Sequence, residues 1–233
     1  MCTFRGEWSE ALKSYLSAQE MVKRTGNPVM EAFYMNNIGE IALEKGRLEE
    51  AETLLTGAWE IWRAAGYRSG VAYDQCNFGR VACAQARYED ALRLFEQSRD
   101  ESHSIGGHSE ALEADARMTA CLLLSGRPGD ALALVAEALD RARFLGGVSA
   151  QTALLYRVRG AALLATAELG AARQALPKSL DAARARRASY EEASPFGFWP
   201  RSRFAPAVRP ATSFSLRAKP YSIDSECCGH PIR

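Results

Sequence analysis

The sequence predicts an all-α solenoid, and three observations carry that prediction. Residue types recur about every 40 positions, apolar residues within each period follow helical spacing, and the places where two helices would touch are small. Ala51, Ala91 and Ala131 lie 40 apart and Ala172 follows after 41. Leu55, Phe95, Val135 and Leu176 keep the same spacing, as do Ala58, Ser98, Ala138 and Ser179. A fixed period of this size marks a stack of identical supersecondary units. Within one unit, Ala51, Leu55, Ala58 and Trp62 are separated by 4, 3 and 4 residues, which places them on one helical face.

The elements follow in order. Residues 6–26 read as one second-type helix, with Ala11, Tyr15 and Ala18 in register and no first helix before it. Complete pairs are expected at 28–66, 68–106, 108–146 and 149–187, giving about nine helices and no strand. In the first complete pair, 32–45 is apolar at Phe33, Ile38, Ile41 and Ala42, turns at Gly46-Arg47, and continues as 48–65. Gly39 and Ala51 would let two antiparallel backbones approach, and Leu55 would fill the space between successive pairs. Gly126 repeats the turn of Gly46, with Ala86 and Ala167 in the equivalent places. Gly106-Gly107 and Gly146-Gly147 read as helix C-caps. Pro177 falls inside 169–186, where a proline costs about 3 kcal/mol, so a kink or weakening is expected there. A sixth unit starts near 189–193 and stops.

The stretches Asn37-Ile-Gly with Gly46-Arg-Leu-Glu-Glu-Ala51, and Asn77-Phe-Gly with Arg87-Tyr-Glu-Asp-Ala91, resemble the tetratricopeptide repeat (TPR) motif. The resemblance covers roughly residues 6–190. It implies a TPR-like solenoid of antiparallel helix pairs wound into a right-handed superhelix, acting as a protein-interaction module. The period of about 40 exceeds the 34 of the standard repeat. Longer helices such as 58–66 and 138–147 are similar to the C-terminal repeat region of bacterial adenylate/guanylate cyclase-linked or LuxR-type regulatory ATPases. A regulatory role in signal transduction or transcription follows as an expectation from that likeness.

Charge divides the chain. Residues 1–193 hold 23 Lys/Arg and 26 Asp/Glu, a net of −3, whereas 194–233 hold six basic and two acidic residues, a net of +4. Six of the nine prolines lie in 194–233, and no 3.6-residue periodicity continues there. The expectation is a helical repeat domain at 1–193 and an irregular, disordered Pro/Arg-rich tail at 194–233. Both ends of the array read as cut, as in a fragment of a longer protein or a reading frame shifted near residue 194. Uncapped ends of a repeat array favour self-association. The start Met1-Cys-Thr-Phe-Arg-Gly-Glu-Trp lacks an apolar signal region, and no stretch of about 18 apolar residues occurs. A cytoplasmic protein with no membrane partner is expected.

No catalytic constellation is found, so the chain is read as a non-enzyme without cofactor or metal. Its three histidines, His103, His108 and His230, are scattered, and no phosphate-cradling glycine motif occurs. Cys227-Cys228-Gly-His230 lacks the paired spacing of zinc modules. Cys76, Cys83 and Cys121 fall in amphipathic segments and read as small buried hydrophobes.

The resemblance implies that the first helix of each pair lines a concave groove. By register this groove carries Phe33, Asn36, Asn37, Glu40 and Leu43, then Tyr73, Cys76, Asn77, Arg80 and Cys83, then Glu113, Arg117 and Arg157. Asn37 and Asn77 share one repeat position, and in peptide-binding relatives an Asn there bonds the ligand backbone, since an amide both donates and accepts. The residues expected to contact a peptide are Phe33, Asn36, Asn37, Glu40, Tyr73, Asn77, Arg80, Arg117 and Arg157. Arg80 faces Glu40 one repeat away, which puts a carboxylate-terminated ligand in doubt. The alternative function is nucleic-acid or anionic-surface binding through Arg201, Arg203 and Arg209, although the overall charge of +1 makes nucleic acid an unfavoured partner.

Overall fold

A computed structural model describes residues 8–146 and 150–185. The tail 194–233, with its arginines and Cys227-Cys228-Gly-His230, lies outside the described residues. So does the start of a sixth unit near 189–193.

Among the described residues there are nine helices and no strand: α1 (Trp8–Thr25), α2 (Pro28–Glu44), α3 (Leu48–Ala64), α4 (Arg68–Ala84), α5 (Tyr88–Ser104), α6 (His108–Leu124), α7 (Pro128–Phe144), α8 (Ala150–Ala165) and α9 (Leu169–Ala185). They pack as the expected solenoid of antiparallel pairs. α2 packs on α3, α4 on α5, α6 on α7 and α8 on α9, with each second helix also touching the next first helix. Successive first helices touch one another, α2 with α4, α4 with α6 and α6 with α8, and no comparable contact joins successive second helices among the described residues. That asymmetry bends the stack with the first helices inside.

Small residues make the pairs close. Ala51, Ala91 and Ala131 are fully buried and Ala172 nearly so, as the period requires. A Cβ placed on Gly79 would stand 2.6 Å from the Phe95 ring, and one on Gly160 would stand 2.4 Å from a Leu176 methyl. By register the third pair puts Thr119 opposite the smaller Val135, and both are buried, so bulk is traded across the interface. Ser98 and Ser179 occupy one repeat position and both reach across their pair. Ser98 Oγ donates to the Ala72 carbonyl at 2.7 Å, and Ser179 Oγ to that of Ala153 at 2.9 Å.

One expectation is altered. Leu176 keeps the spacing of Leu55 but remains 40% exposed, where Leu55 is fully buried. Among the described residues no following helix pair covers its outer side. The helix α9 runs unbroken through Pro177 from Leu169 to Ala185.

The turn inside each pair closes in the same way throughout. Gly46 N–H bonds the Leu43 carbonyl at 2.9 Å while Arg47 N–H bonds that of Ala42 at 2.9 Å. The same two bonds recur at Ala86–Arg87, Gly126–Arg127 and Ala167–Glu168. This closure needs a left-handed residue. Gly46 and Gly126 supply it with φ of 74° and 80°, but Ala86 and Ala167 adopt φ of 62° and 63° with a side chain. A left-handed L-residue is strained by about 1–2 kcal/mol. Ala86→Gly is therefore expected to stabilise the chain by about 0.5–1 kcal/mol, the relief being partly offset by the added entropy of an unfolded glycine. Urea unfolding checks it, and an unchanged or lowered midpoint would show that the turn is not strained.

Candidate functional site

The inward face of α2, α4, α6 and α8 holds a continuous polar floor. It exists because helical spacing repeats polar residues on the side of each first helix turned away from its own second helix. Arg80, only 5% exposed, is its centre. One guanidinium nitrogen donates to Glu40 Oε1 at 2.9 Å and to Asn77 Oδ1 at 2.6 Å, and the other donates to Glu44 Oε1 at 2.6 Å. Asn77 Nδ2 donates to Asn36 Oδ1 at 2.9 Å. The Tyr73 hydroxyl donates to Glu40 Oε1 at 3.2 Å.

A second group continues the floor on α6 and α8. Arg117 Nε donates to Glu113 Oε1 at 2.6 Å, and Gln151 Nε2 donates to Glu113 Oε2 at 2.9 Å. Arg157 is buried on α8. Three carboxylates, Glu40, Glu44 and Glu113, thus share the floor with two guanidiniums, Arg80 and Arg117.

Electrostatics link the two groups. Burial works to raise Glu113, but Arg117 and then Arg80 outweigh it and hold the carboxyl below its usual range. Burial works against the Arg117 charge, and Glu113 and Glu44 overcome it and push that guanidinium further up. The Glu40 charge, then burial, raises the Tyr73 phenol well above its ordinary value, so it stays a donor. Burial, then Glu113, pushes the Cys76 thiol up to about 12.

Of the nine residues expected to contact a peptide, eight fall into two sets. Asn36, Asn77, Arg80 and Arg157 are buried, and Glu40 and Arg117 are mostly covered, with 24% and 19% of their side chains exposed. All of these but Arg157 are joined by the hydrogen bonds of the floor. Phe33 and Tyr73, exposed at 49% and 38%, stand at its surface. The expected equivalence of Asn37 and Asn77 needs correcting. Asn77 is enclosed, with both ends of its amide engaged, and its cross-repeat partner is Asn36, 41 residues earlier. Asn37 instead turns back along its own helix and donates to the Phe33 carbonyl at 2.8 Å. Sequence reading missed Glu44 and Gln151. Glu44 lies one turn beyond Glu40 on the same face, a signal that was present. Gln151 carried none.

Elsewhere, His103 lies in the last turn of α5 and His108 begins α6, both exposed, with ring centroids 6.1 Å apart. They flank a cleft of roughly 300 Å³ with Leu112, Arg141 and Phe144. Among the described residues no group of three or more His, Cys, Asp or Glu is placed to hold a metal ion, and no helix is long and apolar enough to cross a membrane.

Residues 30–100 match the family model of the tetratricopeptide repeat. No curated protein sequence matches the chain. Among solved structures, BtubC (BKLC) from P. vanneervenii superposes with a TM-score of 0.60 at 15% identity, covering 91% of this chain and 84% of that one. A kinesin-light-chain-type protein of nearly identical TPR-like repeats from Podosopora anserina superposes with a TM-score of 0.53 at 16% identity, covering 78% and 89%. A substituted form of that same protein gives 0.54, with 78% and 90% covered. At these identities the likeness shows the TPR-like fold.

Proposed function

We propose that this chain is a non-catalytic interaction scaffold that holds a peptide or protein segment on the inward face of α2, α4 and α6. The observation that carries this reading is a preorganised polar floor with two large aromatic side chains, Phe33 and Tyr73, left half-exposed at its surface. A fixed floor loses little entropy on binding, and exposed aromatics supply contact area. The match of residues 30–100 to the tetratricopeptide repeat supports the same reading over α2 to most of α5.

Selection of peptides from a displayed random library on the immobilised chain tests it. Phe33→Ala with Tyr73→Ala is expected to weaken the selected peptide by about 2 kcal/mol or more, roughly thirtyfold, without lowering the unfolding midpoint. Asn37→Ala is expected to weaken it less. Asn77→Ala is expected to lower the midpoint, since it strips partners from Asn36 and Arg80. Glu89→Ala, on the outer side with 82% of its side chain exposed, should change neither. Unchanged affinity in the Phe33/Tyr73 variant would remove the inward face as the binding surface.

The finer reading, a piece or relative of a bacterial cyclase-linked or transcriptional regulator, rests on the 40-residue period and its long helices. Sequencing the genomic DNA on both sides of the coding region tests it. An ATPase or output domain in frame supports it, and unrelated flanks in all frames remove it.

A further inference from the structure

We infer that the segment held on the inward face is proline-rich and binds as a polyproline II helix laid across α2 and α4, an inference that rests on the scaffold reading above. Phe33 and Tyr73 are 40 apart and occupy one repeat position on two first helices that touch. Packed helices stand about 8–10 Å apart. One turn of polyproline II takes three residues and advances about 9 Å. A proline-rich segment crossing α2 and α4 therefore sets one ring on Phe33 and the ring one turn further on Tyr73.

The two aromatic side chains are held in place before anything binds. Tyr34 meets the Phe33 ring in a T-shaped contact, with centroids 5.8 Å apart and planes at 84°, and Tyr15 of α1 backs Tyr34 at 6.3 Å. The later first helices carry Asp74, Ala114 and Leu155 where α2 carries Tyr34, so this support is particular to α2. The Tyr73 ring is fixed at its far end, where the hydroxyl donates to Glu40 Oε1 at 3.2 Å. Both rings still leave much of their surface uncovered. Exposed aromatic faces of this kind are what proline rings pack against.

The floor beneath them selects against an ordinary peptide. Glu40 Oε1 already accepts from Tyr73 and Arg80, Asn77 Oδ1 and Glu44 Oε1 accept from Arg80, and Asn36 Oδ1 accepts from Asn77. A peptide N–H pressed onto these atoms would give up its water and meet acceptors already engaged, an unfavourable exchange. Proline has no N–H to lose. Its helix is also preset, so less chain entropy is lost on binding. The charges of the floor are paired with one another, Arg80 with Glu40 and Glu44 and Arg117 with Glu113, and call for no charge on the ligand.

The test measures fluorescence anisotropy of a labelled proline decamer, and of a Gly/Ser decamer, with the folded full-length chain. The proline decamer is expected to bind and the Gly/Ser decamer not. Phe33→Leu and Tyr73→Ala should each weaken the proline decamer about tenfold, and Tyr73→Phe, which keeps the ring, should change it less than about twofold. Affinity should hold within about twofold from low to moderate salt, because no ion pair forms with the ligand. Ring resonances of Phe33 and Tyr73 should shift when the decamer is added to the parent, which decides the matter even if a variant fails to fold. No binding of the proline decamer, equal binding of the Gly/Ser decamer, or binding that ignores both rings would each overturn the inference. If library-selected peptides need Phe33 and Tyr73 but the proline decamer stays unbound, the scaffold reading stands and the proline inference falls. If neither kind of peptide senses the two rings, both fall.

Discussion

Asp74→Asn is expected to flatten a fall in stability that the parent chain shows between about pH 4 and pH 8. Asp74 is fully buried on α4, and neither carboxyl oxygen has a hydrogen-bond partner. The equivalent positions carry Tyr34, Ala114 and Leu155, the last two also fully buried. Burial, and after it the Glu40 charge, raises the Asp74 carboxyl to about 8. In the unfolded chain it titrates near its ordinary value of about 3.9.

The folded state thus keeps a proton that the unfolded state has released, so stability falls as pH rises through this window. The slope approaches about 1.4 kcal/mol per pH unit, with an upper bound of about 5 kcal/mol across it. Asparagine keeps the shape and removes the titration. Urea midpoints at pH 5, 6.5 and 8 are expected to separate parent from variant progressively, with the variant ahead at pH 8. Parallel curves would mean that Asp74 is ionised in the fold or has acquired a partner. Asp74→Ala, which places at α4 the residue that α6 carries, should share the gain at pH 8 if the cost is that of a buried carboxyl rather than of lost shape.

Phe95→Ala is expected to cost about 3–5 kcal/mol, a large share of what a domain of this kind has. Phe95 is 1% exposed, belongs to the central cluster that runs from α4 to α8, and its ring lies over Gly79. Gly79→Ala is the complementary experiment. Its new methyl would stand 2.6 Å from the ring, so it should cost about 1–3 kcal/mol. The two positions should couple, because Thr119 with Val135 shows that the array accepts bulk on the first helix when the second gives way. Gly79→Ala should therefore cost at least about 1 kcal/mol less in a Phe95→Val background than in the parent. Additive effects in calorimetry or urea unfolding would show that the two side chains relax independently.

The sequence by itself determined the helices and their order. A 40-residue period with small residues at Gly39, Ala51 and Ala58 fixes which faces pair, since backbones approach only where side chains are short. It also located the turns, down to Ala86 and Ala167 standing where Gly46 and Gly126 stand. The face carrying the candidate site was legible for the same reason, because helical spacing assigns a residue to a side of its helix.

Which side chains meet across repeats was decided only by the tertiary structure. Asn77 meets Asn36 rather than Asn37 because the stagger between α2 and α4 offsets that contact to 41 residues rather than 40. Arg80 gathers Glu40 and Glu44, one turn apart on the neighbouring helix α2, together with Asn77 on its own helix, through the reach of a guanidinium. Asp74 looks like any polar residue in a helix until α4 packs and its carboxyl is enclosed. Periodicity records the direction in which a side chain points, whereas the offset between stacked helices, which no single repeat encodes, sets what it touches.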